Sequence, residues 1–324
     1  MNYLKALFKI LLLIGCTFSS VLIINSIYLS KREKYEFVAS IIDKHKLLQE
    51  TKSPRIILVG GSNITFGINS DSIEAKTHTK TINAAILAPL GLNFILCDLE
   101  KEVHQGDIIY LSPEYDIPLY GDSYSQYLAK SFYNPCKNCI QTEKSFFEKI
   151  PNFLLFNTRI FYEAFWSIFP SKNDISKATI EDTNNVYFRH AFSSKGDLIS
   201  HWNNTGRPLE VNKIQMNFEQ IAVRAKVINN FVQNVEANGA KVYLIHPTVA
   251  SSIYEKNKAE IQKFDSIQNR QLKAKYITKI NDFVYPDSLY FDSFYHLTKN
   301  GLNIRTQKLI ELIDSQSIVS SQNK

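Results

Sequence analysis

A short apolar run that ends directly in two glycines and a serine constrains this chain more than any other feature. Ile56 to Val59 is predicted to form a buried strand, and Gly60-Gly61-Ser62 follows it at once. In a doubly wound α/β fold, ligands bind at the carboxyl ends of parallel strands. Because glycine permits a sharp turn and close backbone approach, we expect the Ser62 hydroxyl to be presented at a strand end, beside backbone N–H groups that can meet an anion.

A carboxylate and a histidine stand close together near the other end of the chain. Asp292 precedes His296 by four positions, just before the last predicted helix. A serine needs a base to become a nucleophile at neutral pH, and a carboxylate can orient that base and stabilise its charged form. The sequence therefore predicts Ser62 as the nucleophile, His296 as the base and Asp292 as the residue that orients His296.

Two blocks of the sequence resemble those of the SGNH (GDSL-like) hydrolases. The first is Gly60-Gly61-Ser62-Asn63 with Gly67, and the second is Asp292 and His296 followed by Leu297, Thr298 and Gly301. The resemblance is strongest to the membrane-anchored bacterial branch related to DltD-type proteins and to enzymes that acylate or deacylate cell-surface polymers. It implies a serine esterase or O-acyltransferase that needs no metal and no organic cofactor.

The chain differs from the common SGNH pattern around the predicted oxyanion hole. The usual Asp before the serine is Gly61, and no Gly-x-Asn-Asp block is present. The resemblance implies that the backbone N–H groups of Ser62 and Ala85 hold the oxyanion. Ala85 lies in Asn83-Ala84-Ala85, where the family has a glycine, and Asn83 and Asn63 are further candidates for the site.

Glu114 follows the third predicted strand, where the family places its asparagine. It is either a surface or helix-capping carboxylate or a residue of the site. In the site it either donates a hydrogen bond as a protonated acid or points away and positions the acceptor or the insertion, since a charged carboxylate would repel an oxyanion. His246, at the end of the fourth predicted strand, is the rival to His296 as base.

Alternating strand and helix patterns predict a parallel sheet with right-handed crossovers. We expect a flavodoxin-like three-layer α/β/α domain at residues 54–315, with strands at 56–59, 79–83, 107–112, 241–245 and 276–281. Residues 116–212 interrupt the alternation and are rich in aromatic residues and proline. We expect them to form an insertion that covers the crevice and selects the substrate or a partner, and residues 316–324 to form a polar tail.

The amino-terminal region is predicted to anchor the chain in a membrane. Ile10 to Ser30 carries no charge over about 21 residues and lies between basic residues, and about 20 apolar residues span a bilayer. Leu13-Ile14-Gly15-Cys16 resembles a lipoprotein cleavage box, but the apolar segment after it favours an uncleaved anchor at residues 1–30. Residues 31–53 are expected to form a juxtamembrane stalk. The short basic amino end predicts a single-pass protein of the bacterial inner membrane with a periplasmic body.

The net charge and the cysteines of the chain indicate which partners and cross-links to expect. The formal net charge of +6 is spread along the chain, without a basic run interleaved with aromatic residues, so nucleic acid is not an expected partner. Outside the cytoplasm, Cys136 and Cys139 are expected to form a local disulfide, with two free thiols as the alternative and Cys97 as a core residue. No metal site is expected.

The sequence thus predicts a membrane-tethered esterase or acyltransferase. Its predicted substrates are acyl or acetyl esters of a cell-surface polysaccharide or wall polymer, and its predicted partners are the bilayer, through residues 10–30, and a surface polysaccharide or acyl-donor protein. The alternative is a non-catalytic scaffold or partner in surface polysaccharide assembly that has the SGNH fold.

Overall fold

The computed structural model describes residues 2–140, 146–169 and 185–322. The helices are α1 (Asn2–Arg32), α2 (Ser40–Glu50), α3 (Ser62–Thr65), α4 (Ser70–Thr77), α5 (Leu92–Glu100), α6 (Ser123–Phe132), α7 (Phe146–Trp166), α8 (Ile221–Ala237), α9 (Ser251–Asn269) and α10 (Lys299–Gln322). The strands are β1 (Arg55–Gly60), β2 (Lys80–Asn83), β3 (Ile108–Ser112), β4 (Lys241–Leu244), β5 (Val249–Ala250) and β6 (Val284–Tyr285).

The main sheet has four parallel strands in the order β2-β1-β3-β4. The predicted parallel α/β arrangement is confirmed, whereas the predicted fifth strand is reduced to one bridge between Leu244 and Tyr276. Beyond that bridge, Thr278 turns its hydroxyl to His246 instead of continuing the ladder. Strands β5 and β6 form a separate two-stranded pair.

The central strand β1 is buried on both faces. Ile56 and Leu58 pack in a cluster that includes residues of α9 and α10, whereas Ile57 and Val59 pack with residues of α5 and α8. Successive strand residues point to opposite faces, so a strand covered on both sides needs a continuous apolar run. This is the physical basis of the apolar sequence before Gly60.

Helix α1 is long and apolar enough to cross a membrane, and its apolar window is not buried by the rest of the chain. The expected stalk at residues 31–53 is wrong, because this segment is part of the globular body. Phe37, Ile41 and Leu48 are buried in its core, and Arg55 donates to the carbonyl oxygens of Leu48 and Thr51. These apolar side chains are buried because α2 packs against β2 and α6.

The described part of the insertion contains α6, a 3-10 helix at Asn134–Cys139, α7 and a chain segment beginning at Asn185. Residues 141–145 and 170–184 of the predicted insertion lie outside the described residues. The polar tail predicted at 316–324 is helical as far as Gln322, because α10 continues through it.

The predicted disulfide is wrong in its pairing. Cys139 is bonded to Cys97, and Cys136 is a buried free thiol whose pKa burial raises to about 12. The 3-10 helix packs against α5, which carries Cys97. The pairing therefore follows a tertiary contact that the spacing of Cys136 and Cys139 does not encode.

Candidate active site

The turn after β1 presents Ser62 as predicted for a strand end. Gly60 lies in register with Ser112 of β3, and Ser62 is the first residue of α3. A side chain at Gly60 would place its Cβ 2.5 Å from the Ser112 carbonyl oxygen, so the turn requires glycine there. Ser62 is half-buried, and its hydroxyl makes no hydrogen bond to another described residue. The hydroxyl is available to a substrate.

Asn63 links the Ser62 turn to β3 and to α10. Its side-chain amide donates to the Ser112 carbonyl oxygen at 2.9 Å, and the guanidinium of Arg305 donates to the Asn63 carbonyl oxygen at 2.7 Å and to Asn63 Oδ1 at 2.9 Å. Both Asn63 and Arg305 are fully buried. Arg305 lies on α10. Its role comes from α10 packing against the turn.

Glu114 is a buried residue that supports the Ser62 turn. Its Oε1 accepts from the Asn63 N–H at 2.9 Å, and its Oε2 accepts from the Gly61 N–H at 3.1 Å. The prediction of a surface residue is wrong, because Glu114 is only 1% exposed, whereas the helix-capping alternative agrees with its hydrogen bonds to the amino-terminal N–H groups of α3. Both oxygens accept hydrogen bonds from N–H groups of the Ser62 turn.

The N–H of Ala85, one of the two predicted oxyanion donors, is already engaged. It donates to Asn83 Oδ1 at 3.1 Å, and Ala85 is fully buried. Asn83 donates in turn to the Ile64 carbonyl oxygen and to Asp197. Asn83 therefore holds β2 against α3. Because Glu114 occupies the N–H groups of Gly61 and Asn63, the N–H of Ser62 is the remaining donor of the turn.

Asp292 and His296 form the pair predicted from their spacing. His296 Nδ1 lies 2.7 Å from Asp292 Oδ1, and both side chains are largely buried. Burial favours the neutral acid, but the hydrogen bonds from His296 and Tyr187 outweigh it and hold the pKa of Asp292 below its ordinary value. The contact uses Nδ1 of the imidazole, which leaves Nε2 as the nitrogen that can take a proton.

Phe66 links His296 to the Ser62 turn. The rings of Phe66 and His296 are stacked, with centroids 4.0 Å apart and planes 6° apart, and the Phe66 N–H donates to the Ser62 carbonyl oxygen at 2.9 Å. Ser62 and His296 do not form a hydrogen bond with each other in this structure. Catalytic hydrogen bonds are often long without substrate and shorten when it binds. The structure thus places His296 against Phe66, at the end of the short helix that begins at Ser62.

Tyr187, from the insertion, completes the carboxylate–imidazole pair. Its hydroxyl donates to Asp292 Oδ2 at 2.7 Å and lies 3.4 Å from His296 Nδ1. Burial and the charge of Asp292 both raise the pKa of Tyr187, so it remains a neutral donor. No local motif marks this tyrosine among the many in the insertion, and only the tertiary contact reveals its role.

The rival base His246 lies in a different environment. It is 3% exposed, its Nδ1 lies 2.8 Å from the Thr278 hydroxyl, and its Nε2 lies 3.0 Å from Asp265 Oδ1. Its ring also stacks on Tyr276. Both ring nitrogens have partners within the fold, so His246 supports the chain after β4 and is not brought to Ser62.

Another histidine, His201, is buried near His296, with its ring packed against Phe66 and Phe291. Its Nε2 lies 3.0 Å from the Leu297 carbonyl oxygen. Burial, together with the nearby His296, lowers the pKa of His201 to about 4. His201 therefore stays neutral and adds no charge beside His296.

Within the described ranges, no group of three or more His, Cys, Asp or Glu side chains is placed to hold a metal ion.

Comparison with known proteins gives no further assignment. No protein family model, no curated protein and no solved structure matches the chain. The case for a function rests on the geometry of the site.

Proposed function

We propose that this chain is a membrane-tethered serine esterase or O-acyltransferase with a flavodoxin-like SGNH-type domain. One observation carries the proposal: the Asp292–His296 pair is stacked on Phe66, within the same helical turn that presents Ser62. A carboxylate, an imidazole and a half-exposed serine in this order are the parts that acyl transfer requires.

In the proposed reaction, Ser62 Oγ attacks the carbonyl carbon of an ester while His296 Nε2 removes the hydroxyl proton. Asp292 keeps Nδ1 protonated and stabilises the imidazolium, and Tyr187 holds the second oxygen of Asp292. When the tetrahedral intermediate collapses, the bond to the leaving alkoxide breaks and His296 returns its proton to that oxygen. The acyl group then remains on Ser62.

The second half of the reaction repeats these steps with a new hydroxyl group. Water gives an ester hydrolase, whereas a hydroxyl of a polysaccharide or wall polymer gives a transferase. In either case His296 removes the proton of the incoming hydroxyl, and the acyl–Ser62 bond breaks with return of the proton to Ser62. No cofactor takes part in this sequence.

The location of the site supports a substrate at the membrane surface. Tyr187 contacts Phe37, which lies five residues after the end of α1, and Arg189 hydrogen-bonds the Glu33 carbonyl oxygen. Five residues of chain span at most about 18 Å. We therefore propose an acyl donor or acceptor held at the outer face of the bacterial inner membrane, such as a surface polysaccharide or an acyl-donor protein. Alkaline phosphatase fused after Lys324 is expected to be active, because it folds only on the oxidising side.

Labelling with a fluorophosphonate probe tests the catalytic proposal. The full-length protein is expected to react, and Ser62→Ala and His296→Ala are each expected to abolish labelling, because members of a triad act as a unit. Ser72→Ala is the matched control, since Ser72 is also a half-buried serine on a short helix. Labelling that persists in Ser62→Ala, or is lost equally in Ser72→Ala, contradicts the proposal.

A second candidate is a non-catalytic scaffold in surface polysaccharide assembly. It is favoured by the hydrogen bonds around the turn, since Glu114 occupies the N–H groups of Gly61 and Asn63, and Asn83 occupies that of Ala85. Only one backbone donor of the turn then remains for an oxyanion, and removing one donor from such a hole typically costs 10²–10³ in rate. Under this alternative the folded protein binds polymer but does not react with the probe.

A further inference from the structure

Helix α7 exposes large apolar side chains that the candidate active site does not use. Phe147 is 84% exposed, Leu155 68%, and Ile150, Phe153 and Leu154 are between 38% and 46% exposed. Contiguous exposed apolar surface of this kind marks contact with a protein or a membrane. Its position relative to α1 indicates which of the two covers it.

Helices α1 and α7 run side by side in the same direction. Asn25 donates to the carbonyl oxygen and to Oδ1 of Asn157 at 2.8 and 3.1 Å, and Arg32 forms an ion pair with Glu163. The two contacts join residues that are 132 and 131 positions apart. Since both helices rise about 1.5 Å per residue, this constant offset places Leu154 roughly level with Leu22.

The part of α1 that is not covered by α7 is too short to cross a bilayer by itself. The part of its charge-free stretch that is exposed on all sides, Ile10 to Ser20, is about 11 residues long, or roughly 17 Å. The hydrocarbon layer is about 30 Å thick. If the charge-free stretch spans the bilayer, the part from Val21 to Ser30 must also lie in it, and α7 packs against that part.

The polar groups of α1 and α7 are consistent with both helices lying in the hydrocarbon layer. Asn25 is 2% exposed, and within hydrocarbon its amide needs the partner that Asn157 supplies. From Ile150 to Thr158, α7 carries no charge for about nine residues, a rise of roughly 14 Å, or about one leaflet. Glu148 and Lys149 precede this stretch and, by the same offset, lie level with Cys16 and Thr17, so the lipid-facing part of α7 begins after them.

The carboxyl end of α7 has the composition of a membrane–water boundary. Tyr162 and Trp166 are 61% and 51% exposed and flank Glu163, which pairs with Arg32 at the end of α1. Tyrosine and tryptophan are enriched at this level of membrane helices, where the ring is apolar and its polar atom meets water. Both helices therefore leave the hydrocarbon layer at the same height.

We infer that α7 is a second membrane-inserted element, whose face formed by Ile150, Leu154 and Leu155 contacts the acyl chains of the outer leaflet. The inference rests on the membrane-anchoring role of α1 in the proposed function. It makes the bilayer, rather than solvent, the surface against which the insertion is built, and it holds the segment that carries Tyr187 at the membrane.

The test uses the full-length protein in lipid vesicles, with Cys16→Ala as the background, so that Cys136 is the remaining, buried thiol beside the disulfide. A bimane fluorophore is attached at Leu154→Cys, at Phe18→Cys on α1, or at Val223→Cys, an exposed apolar position of α8 that serves as the matched control. Nitroxide groups on the lipid acyl chains then quench the fluorophore. We expect Leu154→Cys to lose as much fluorescence as Phe18→Cys and far more than Val223→Cys.

Three outcomes overturn the inference in distinguishable ways. Leu154→Cys quenched no more than Val223→Cys, with strong quenching at Phe18→Cys, rejects insertion of α7 and leaves the anchor standing. Weak quenching at Phe18→Cys rejects the anchor as well. Cross-linking of Leu154→Cys to a second copy without lipid quenching identifies a protein interface. Leu155→Cys is the second reporter, and protection of Cys136 from thiol reagents shows that each variant is folded.

Discussion

The carboxylate of Glu114 occupies the space beside Gly61 that a side chain at that position would fill. A Cβ built on Gly61 would lie 2.5 Å from Glu114 Oε1 and 2.7 Å from Oε2. The common SGNH pattern has an aspartate at this position, whereas here a carboxylate reaches the Ser62 turn from the end of β3. Gly61 and Glu114 thus form one structural feature, because the absence of a side chain at Gly61 leaves room for the Glu114 carboxylate.

This relationship predicts a compensating double substitution. Gly61→Asp alone is expected to abolish activity, because the new side chain overlaps Glu114 and places two carboxylates in contact. Combined with Glu114→Ala, the same aspartate gains the vacated space, and activity and thermal stability are expected to recover in part. Esterase turnover and the unfolding midpoint of the two single variants and the double variant measure the coupling. A double variant no better than Gly61→Asp contradicts the steric explanation.

Tyr187 is expected to act as a positioning residue for the Asp292–His296 pair. Tyr187→Phe removes one hydrogen bond to the charged Asp292 carboxylate, worth about 1.5–3 kcal/mol, so kcat is expected to fall by about ten- to a hundredfold. KM is expected to change little, because the ring and its contact with Phe37 remain. Tyr162→Phe, on the exposed side of α7, is the control. A change confined to KM would instead assign Tyr187 to substrate binding.

The disulfide predicts that substitutions of Cys97 and Cys136 change the free energy of unfolding by different amounts. Cys97 and Cys139 are separated by 42 residues, and closing a loop of that length stabilises a chain by roughly 3–4 kcal/mol in the loop-entropy estimate. Cys97→Ser is therefore expected to lower the free energy of unfolding substantially, whereas Cys136→Ala is expected to cost much less. Denaturation in detergent measures both variants, and non-reducing peptide mapping identifies the bond. A mapped Cys136–Cys139 peptide would contradict the observed pairing.

His45 predicts a pH-dependent contribution to stability. Its ring lies 2.8 Å from Asp98 and 3.0 Å from Glu102; burial lowers its pKa, but these two carboxylates outweigh burial and raise the pKa above 6.5. The stabilisation is thus complete below about pH 6.5 and is lost as the pH rises through the raised folded-state pKa. His45→Gln is expected to lose about 1–3 kcal/mol at about pH 6 and less at about pH 9. The exposed His104→Gln is the control, and a pH-independent loss would contradict the argument.

Local sequence patterns were sufficient for the parts of this protein whose geometry depends on neighbouring residues. Ile56 to Val59 is apolar throughout because β1 is covered on both faces, and the glycines after it allow the sharp turn into α3. Asp292 and His296 meet because four residues of chain can fold back on themselves. The charge-free stretch of α1 likewise encodes a helix that can cross a membrane.

Contacts between distant segments decided the rest, because their free energy depends on packing that no short window of sequence contains. Glu114, Arg305 and Tyr187 reach the site from β3, α10 and the insertion, and their roles follow from which atoms they meet there. The pairing of Cys139 with Cys97 and the burial of α2 have the same origin. So does the loss of the fifth strand, since Thr278 satisfies its hydrogen bonds with His246 instead of a neighbouring strand. The sequence by itself determined the β1 turn, the Asp292–His296 pair and the apolar helix; only the tertiary structure decided what surrounds them, because long-range packing selects among partners that are locally equivalent.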